Sequence, residues 1–352
     1  MTAPRIRVDL EKIRHNTRTL VERLATRGID VTGVTKATVG SPRTGAAMLT
    51  AGATGLGDSR IENIEAMRRS GMTCPMTLLR SPMLSQARRI VENADTSLNT
   101  ELEVIDSLSR HASQCERDHA VVLMVELGDL REGLMPSDLS QAVREALRLP
   151  NITLRGIGTN LACHGGVVPD AEKMSELSKL ADSIESEFGV HLDVVSGGNS
   201  ANLDWALGSH DTGRVNNLRL GESILLGREP LHRHPIAGLH TDAVTLIAEV
   251  IESKIKPRRP WGNTAQSAFG DEPAIPPVGF TVRTILALGH QDTDPSGLEP
   301  PEGFTVLGAS SDHLILNSRP PCVPMGREVS LGVNYSALLR AMTSASVAKS
   351  FD

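Results

Sequence analysis

The segment DVTGVTKATVG, residues 30–40, places a lysine directly after a run of small and β-branched residues. Such a run predicts a buried strand, and a lysine is expensive to bury unless it is paired or chemically employed. Lys36 therefore either marks the point where the strand reaches solvent or serves chemistry at the end of the strand. The rest of the chain distinguishes these two interpretations.

Short apolar runs of this kind recur between residues 30 and 226, with helical segments between them. Segment 137–149 spaces its leucines and valine along one helical face, and segment 170–189 has an acidic start and a closing glycine. Strands that alternate with helices form a parallel sheet, and eight of them close into a barrel. We therefore predict an α/β fold, a (β/α)8 TIM barrel. The eight runs are VTGVTK (31–36), TGLGDS (54–59), MTLLR (76–80), TSLNT (96–100), AVVLMVEL (120–127), ITLRGIGTNLA (152–162), HLDVVSGG (191–198) and NNLRLGES (216–223).

Two further regions flank the predicted barrel. Segment 10–28 reads as an additional helix before the first barrel strand. After about residue 230, segments rich in Val, Ile and Thr are separated by Pro/Gly breaks, which is typical of β-structure. We predict a barrel domain over residues 1–230 and a smaller β-rich domain over residues 231–352 that caps the site.

Composition excludes several classes of function. The formal net charge is −6, and the chain has only two Trp, one Tyr and five Phe, so nucleic acid is not an expected partner. The amino terminus becomes charged too early for a signal peptide, and no apolar run reaches membrane length. The four cysteines are far apart and form no metal or disulfide pattern, which indicates a reduced cytoplasm. Cys163 is expected to be a buried structural thiol.

The predicted strand ends carry the candidate chemistry, because barrel enzymes bind substrates there. Lys36 follows the first strand and Arg219 lies in the last, while SGGNSAN (196–202) offers a glycine-rich turn with free amides for a phosphate. A lysine and an arginine share a pocket only when something anionic or electron-rich lies between them. Together these features suggest pyridoxal phosphate, with Lys36 as its Schiff-base partner.

Seven motifs in order along the chain carry a family resemblance. The chain resembles the fold-type III, PLP-dependent alanine racemase family, most closely its ornithine racemase-like branch. The motifs cover nearly the whole chain: PRIRVDLEKIRHNT (4–17), VTGVTK (31–36), GDSRIENI (57–64), GIGTNLACHGG (156–166), SGGNSANL (196–203), LRLGESILLGRE (218–229) and LGASSDHLIL (307–316).

The resemblance implies roles for individual positions. Lys36 matches the Schiff-base lysine, which also acts as the base on one face of the substrate carbon. Arg219 matches an arginine at the ring nitrogen, and Arg131 one at the phenolic oxygen. The other positions expected to bind the cofactor are Asn160, Ser196, Asn199, Ser200, Gly221 and Tyr335.

An arginine at the ring nitrogen has a mechanistic consequence. Arginine keeps its proton, so the ring nitrogen stays unprotonated and the carbanion charge stays near Cα. This favours racemisation over transamination. Glu222 would argue for the opposite outcome, but its odd spacing from Arg219 directs the two side chains to opposite faces of a strand.

Racemisation needs a second acid/base on the face opposite Lys36. The family uses a tyrosine from the partner subunit, whereas the comparable turn here, LGHQDT (288–293), has His290 in that place. Histidine suits proton transfer near neutral pH, although an exposed loop histidine is equally consistent with the sequence. Tyr335 and His313 are the alternatives. The resemblance also implies a homodimer with shared active sites.

The substrate is expected to be an amino acid, with ornithine, lysine or another basic amino acid favoured by the branch. The turn ASSDHL (309–314) resembles one that holds a substrate carboxylate, which nominates Ser311 and Asp312. Asp292 and Asp294 would suit a distal ammonium, or they are ordinary turn residues. The alternatives to a racemase are a decarboxylase of the same fold type and a non-catalytic PLP-carrier protein.

Overall fold

The computed structural model describes residues 4–266, 269 and 277–352. The chain divides into two compact units. We call Leu10–Thr241 the barrel unit, and Met1–Asp9 together with Asp242–Asp352 the β unit.

The secondary structure alternates strands and helices in the barrel unit and is mainly strand in the β unit. The strands are β1 (Arg5–Val8), β2 (Asp30–Val34), β3 (Gly55–Asp58), β4 (Met76–Leu78), β5 (Thr96–Asn99), β6 (His119–Met124), β7 (Ile152–Gly158), β8 (Val194–Gly198), β9 (Asn217–Leu220), β10 (Val244–Pro257), β11 (Phe280–Leu286), β12 (Leu298–Glu299), β13 (Phe304–Ala309), β14 (Leu314–Ser318), β15 (Glu328–Val333) and β16 (Ala348–Phe351). The helices are α1 (Leu10–Ala25), α2 (Pro42–Thr50), α3 (Ile61–Arg69), α4 (Ala87–Asn93), α5 (Leu102–Gln114), α6 (Leu139–Ala146), α7 (Ala171–Phe188), α8 (Leu203–Ala206), α9 (Glu222–Leu226) and α10 (Tyr335–Thr343).

Strands β2 to β9 form a closed parallel barrel, which confirms the predicted fold. Closure comes from the pairing of β2 with β9, in which Asp30 lies opposite Asn217 and Gly33 opposite Leu220. Each of the eight predicted runs overlaps one barrel strand, although β2 and β6 begin one residue before their runs. Because the strands are parallel, all their carboxyl ends lie at one end of the barrel, and the residues that follow them meet there.

The β unit is built on a mainly antiparallel sheet with the strand order β12-β15-β10-β11-β14-β13. The amino-terminal strand β1 pairs with β10 in antiparallel and with β16 in parallel orientation. This confirms the predicted β-rich carboxyl-terminal region. Among the helices that the structure describes, none combines the length and apolar character required to cross a membrane.

The division into units differs from the predicted limits at residue 230 in two places. Residues 1–9 group with the β unit because β1 pairs with β10 and β16. Residues 231–241 group with the barrel unit, where Asn16 on α1 exchanges two hydrogen bonds with the backbone of His240 (2.7 and 2.9 Å). Both differences arise from pairings between residues more than 200 positions apart.

A buried histidine links two neighbouring barrel strands. His119 on β6 is 1% exposed, and its Nε2 lies 2.8 Å from the hydroxyl of Ser97 on β5. The amide of Asn99 donates to the same hydroxyl (2.9 Å). Burial lowers the pKa of His119 to about 4, so the folded protein holds this imidazole neutral at neutral pH.

This histidine predicts a loss of stability in acid. In the unfolded chain this imidazole binds a proton with a pKa near 6.5, whereas in the folded protein it does so only near 4. The neutral imidazole therefore costs the folded state no stability above pH 6.5, and it destabilises the fold increasingly as pH falls from 6.5 towards 4. The shift corresponds to about 3 kcal/mol of unfolding free energy. In urea unfolding between pH 7 and 4, the stability advantage of the wild type over His119→Asn should shrink by that amount. The exposed control His210→Asn should follow the wild type. A constant difference between wild type and H119N would contradict the assignment.

Candidate active site

Lys36 follows β2 at the carboxyl end of the barrel and begins a short 3-10 turn, Lys36–Thr38. The preceding residue is fixed from the neighbouring strand: Thr35 donates its backbone N–H to Gly57 (3.0 Å) and its hydroxyl to the carboxylate of Asp58 (2.8 Å). Asp58 is fully buried and also accepts from the amide of Asn63 (2.9 Å). Asp58 therefore holds the turn that carries Lys36.

The side chain of Lys36 reaches solvent at the barrel mouth, yet protein surrounds its amine closely enough to lower its pKa. Burial is the main cause. The positive charges of Arg131 and Arg219 lower the pKa further, while Cys163 and Asp58 act in the opposite direction. A larger fraction of this lysine is thus neutral near pH 7 than of an ordinary lysine.

Arg219 on β9 points into the barrel and is 6% exposed. Its guanidinium donates to the hydroxyl of Ser196 (2.5 Å), the backbone carbonyl of Thr159 (2.8 Å) and the side-chain oxygen of Asn160 (3.4 Å). Within the described part of the chain, no carboxylate pairs with it. Burial lowers its pKa to about 10, so the group remains a cation at neutral pH.

Glu222, the carboxylate next to this strand, lies outside the barrel centre. It forms an ion pair with Arg233. The strand β9 ends at Leu220 and Glu222 begins α9, so the expectation that both side chains lie on one strand is wrong. Of the two, Arg219 is the residue that points into the barrel.

The SGGNSAN segment spans the end of β8 and the turn that leads into α8. Asn199 accepts a hydrogen bond from the backbone N–H of Ala201 (2.8 Å), and Asn202 accepts one from that of Asn199 (3.0 Å). Gly198 has a φ of 144°, and a Cβ there would lie 2.2 Å from the side chain of Asn202. The sequence of the turn is therefore constrained by its geometry.

This turn is tied to the start of α9 and to the loop after β7. The hydroxyl of Ser200 lies 2.9 Å from that of Ser223 and accepts from its backbone N–H (3.2 Å). Gly221 precedes Ser223 at the start of α9, where a Cβ would lie 3.0 Å from Val34. Asn199 donates to the carbonyl of Leu161 (2.8 Å). The amino-terminal ends of two short helical turns thus meet at the barrel mouth.

Arg131 lies in the loop after β6, where it pairs with the adjacent Glu132. The same loop is anchored by Asp129, which is 1% exposed and accepts backbone N–H bonds from His164 (2.9 Å) and Cys163 (3.2 Å). These bonds to the ionised form lower the pKa of Asp129 despite its burial. They join the loop after β6 to the loop after β7.

Three side chains give results that the sequence does not predict. Cys163 is exposed, so the prediction of a buried structural thiol is wrong: it lies in a loop whose backbone is bound by Asp129. The sequence also does not predict that Asp58 and Asn63 fix the turn before Lys36. Both lie in the motif GDSRIENI, but nothing in a single sequence pairs its aspartate with Thr35.

The structure brings eight predicted cofactor-binding positions to the carboxyl end of the barrel. They are Lys36, Arg131, Asn160, Ser196, Asn199, Ser200, Arg219 and Gly221. Ser196 lies beneath the others: its hydroxyl accepts from Arg219 and donates to Asn217 (2.8 Å), and it therefore orients the arginine.

The remaining predicted positions lie in the β unit, mostly on two adjacent turns. The backbone N–H groups of His290 and Gln291 donate to the carbonyls of Ser310 (3.0 Å) and Ser311 (2.9 Å). Gly289 permits this close approach of the turns, because a Cβ there would lie 2.4 Å from the backbone of Asp312. The ring of His290 lies 4.1 Å from that of Phe269.

The aspartates near these turns differ in exposure and in hydrogen-bond partners. Asp292 is 7% exposed and accepts the backbone N–H of Gly289 (3.0 Å), so it braces its own turn. Asp294 accepts from the hydroxyl of Ser336 (2.6 Å). Asp312 is exposed and contacts His313 Nδ1 (2.7 Å). Tyr335 is the first residue of α10.

The barrel mouth fits pyridoxal phosphate. It offers an amine with a lowered pKa, a buried guanidinium without a carboxylate partner among the described residues, and backbone N–H groups at two helical turns. The side-chain nitrogen of Asn160 is buried and has no hydrogen-bond partner within the described chain. An electron-rich ring with a phosphate would satisfy these groups together.

The electrostatics of Lys36 predict its reactivity. In protein freed of cofactor, competitive acetylation with peptide mapping should give Lys36 a lower titration midpoint than the exposed Lys179. Arg131→Gln should raise the Lys36 midpoint because it removes a neighbouring positive charge. The exposed control Arg148→Gln should leave it unchanged. Identical midpoints for Lys36 and Lys179 would contradict the prediction.

Comparisons with known proteins agree with the site. Residues 8–229 match the family model described as alanine racemase, N-terminal domain. The chain is 36% identical to an ornithine racemase of Acetoanaerobium sticklandii, with 98% of this chain and 99% of the relative covered. It is also 36% identical to a lysine racemase of Thermotoga maritima, with 100% and 99% covered.

Solved structures show the same fold. An alanine racemase from Streptomyces coelicolor A3(2) superposes with a TM-score of 0.78 at 20% identity, covering 99% of this chain and 97% of that one. One from Streptomyces lavendulae gives 0.77 at 18% identity, covering 100% and 98%. The chain therefore belongs to the alanine racemase family of pyridoxal-phosphate-dependent isomerases.

Proposed function

We propose that this enzyme racemises a basic amino acid, with ornithine and lysine as the first candidates. The observation that carries the proposal is the match along essentially the full chain to two racemases of such amino acids. We further propose that it works in the cytoplasm as a homodimer, in which each active site combines a barrel unit with the β unit of a second copy.

The barrel unit supplies the cofactor site and one base. Pyridoxal phosphate, when bound, withdraws electron density from Cα of an amino acid and makes its proton removable. In the proposal Lys36 holds the cofactor and exchanges the Cα proton on one face of the substrate. The lowered pKa of its amine supports this role, because a neutral amine can accept a proton near pH 7.

Arg219 determines where the proton returns. We propose that its guanidinium faces the ring nitrogen, with Asn160 beside the ring, Arg131 at the phenolic oxygen, and Ser200 and Gly221 at the phosphate. A guanidinium with a pKa of about 10 keeps its proton at pH 7 and cannot pass one on. The proton removed from Cα then returns to Cα, which favours racemisation.

His290 is the proposed base on the opposite face. Its turn is held by two backbone hydrogen bonds to residues 310 and 311, so the imidazole has a fixed attachment. Histidine accepts and donates protons near neutral pH, as a reversible reaction requires. His313 and Tyr335 are the alternatives, and both lie in the same unit.

The β unit also supplies the proposed contacts to the rest of the substrate. Ser311 and Asp312 occupy an exposed turn, which is the proposed contact to the substrate carboxylate. Asp292 is already bonded to the backbone of its own turn, which supports a role in shaping the turn beneath His290.

Two other functions are less well supported. A decarboxylase of this fold type usually has a carboxylate at the ring nitrogen. Here the residue proposed for that place is Arg219, and among the described residues no carboxylate pairs with it. A PLP-carrier protein would end near residue 230, whereas this chain continues with a full β unit.

Proton exchange at Cα tests the proposed function. In heavy water, with D- and L-ornithine, lysine and alanine each offered alone, both enantiomers of a basic amino acid should gain deuterium and interconvert. Alanine should react more slowly than the basic substrates. Release of carbon dioxide, or no exchange with any substrate, would contradict a racemase.

A variant of His290 tests the assignment of the second base. His290→Asn should slow deuterium exchange of one enantiomer by at least about 100-fold, because one face loses its acid/base. Exchange of the other enantiomer, served by Lys36, should fall much less. The matched control His313→Asn should retain both rates. Equal slowing of both enantiomers in H290N, or the asymmetry appearing in H313N, would exclude His290.

A further inference from the structure

A polar cavity of about 190 Å³ lies inside the barrel. Most of the residues that line it are at the amino-terminal ends of strands, away from Lys36, and Arg219 and Ser196 line it at the farther end. The interiors of such barrels are normally filled by bulky apolar side chains. Here hydroxyl, amide and guanidinium groups take much of that space, which indicates a hydrated or ligand-binding interior.

Two arginines face this cavity without a carboxylate partner. Arg155 on β7 donates to the hydroxyl of Thr96 (3.2 Å), and Arg219 donates to Ser196 and Thr159. Within the part of the chain that the structure describes, neither arginine forms an ion pair. Two guanidinium groups on the lining of one cavity, with no carboxylate paired to either, favour the binding of an anion there.

Hydroxyl groups add hydrogen-bond donors to the same wall. The oxygen of Thr96 accepts from Arg155, and that of Thr32 accepts from the amide of Asn217 (3.0 Å). Among the residues described, neither hydroxyl donates to another protein group, so both protons are available to a ligand. Converging hydroxyl and guanidinium donors form an anion site.

The acidic residues on the lining do not neutralise the arginines. Asp30 and Asp193 are both exposed, and Asp193 faces His191 (3.9 Å). The volume exceeds what one water needs but falls below the roughly 300–1,000 Å³ of pockets for organic ligands. A small inorganic anion with a few waters fits it, whereas an amino acid does not.

We propose that the cavity binds a small inorganic anion between Arg155 and Arg219, entering from the amino-terminal end of the barrel. The site is separate from the substrate site and does not depend on the identity of the substrate. The bound anion supplies the counter-charge that Arg219 lacks. It thereby stabilises the charged form of the arginine from the side opposite the barrel mouth.

Bromide provides the test, because it is small and its anomalous scattering identifies it. Crystals of the cofactor-loaded protein soaked in bromide should show an anomalous peak between Arg155 and Arg219. In solution at constant ionic strength, bromide should raise the melting temperature to a plateau. Both effects should persist in the exposed control Arg148→Leu and should weaken at least tenfold in apparent affinity in Arg155→Leu.

A milder variant keeps the test decisive if Arg155→Leu does not fold. Thr96→Val removes one hydroxyl at nearly constant volume and should weaken bromide binding several-fold without loss of fold. Water alone between the arginines in the bromide-soaked crystals would overturn the proposal. Bromide binding that is unchanged in Thr96→Val and Arg155→Leu would overturn it as well.

Discussion

The site depends on positive charges held close together at the mouth of a closed barrel. Arg219 is buried with neutral hydrogen-bond acceptors around it and, among the described residues, no carboxylate, while Lys36 loses proton affinity through burial and through Arg131 and Arg219. Such an arrangement is unfavourable in an isolated protein unless an anionic or electron-rich group joins it. The unliganded fold is therefore less stable than it would be with these charges paired, and the site is complementary to an anionic or electron-rich ligand.

Barrel closure is what brings these charges together. Lys36 follows the first barrel strand and Arg219 lies in the last, and the pairing of β2 with β9 makes these strands neighbours. Other buried side chains then fix the loops and the reactive groups in place. Asp58 holds the turn before Lys36, Asp129 joins two loops, and Ser196 orients Arg219. The positions of the reactive groups thus rest on a layer of buried hydrogen bonds.

The sequence predicted the parts of this structure that depend on local pattern. Eight apolar runs predict the barrel strands. The lysine, the glycine-rich turn and the arginine at the strand ends predict the cofactor. Contacts between distant residues were not predictable in this way. The pairing of β1 with β10, the hydrogen bonds from Asn16 to His240, and the bond from Thr35 to Asp58 join segments whose proximity exists only after folding. The exposure of Cys163 is unpredictable for the same reason, because its loop is held by a hydrogen bond to Asp129.

The central claim is that Lys36 is the residue that binds the cofactor covalently. Its direct test is to incubate the purified protein with pyridoxal phosphate, reduce it with borohydride and map the modified peptides by mass spectrometry. We expect one pyridoxyl group on Lys36, and none on the protein when Lys36→Ala is treated in parallel. A modified lysine elsewhere, or an unmodified Lys36 at saturating cofactor, would contradict it.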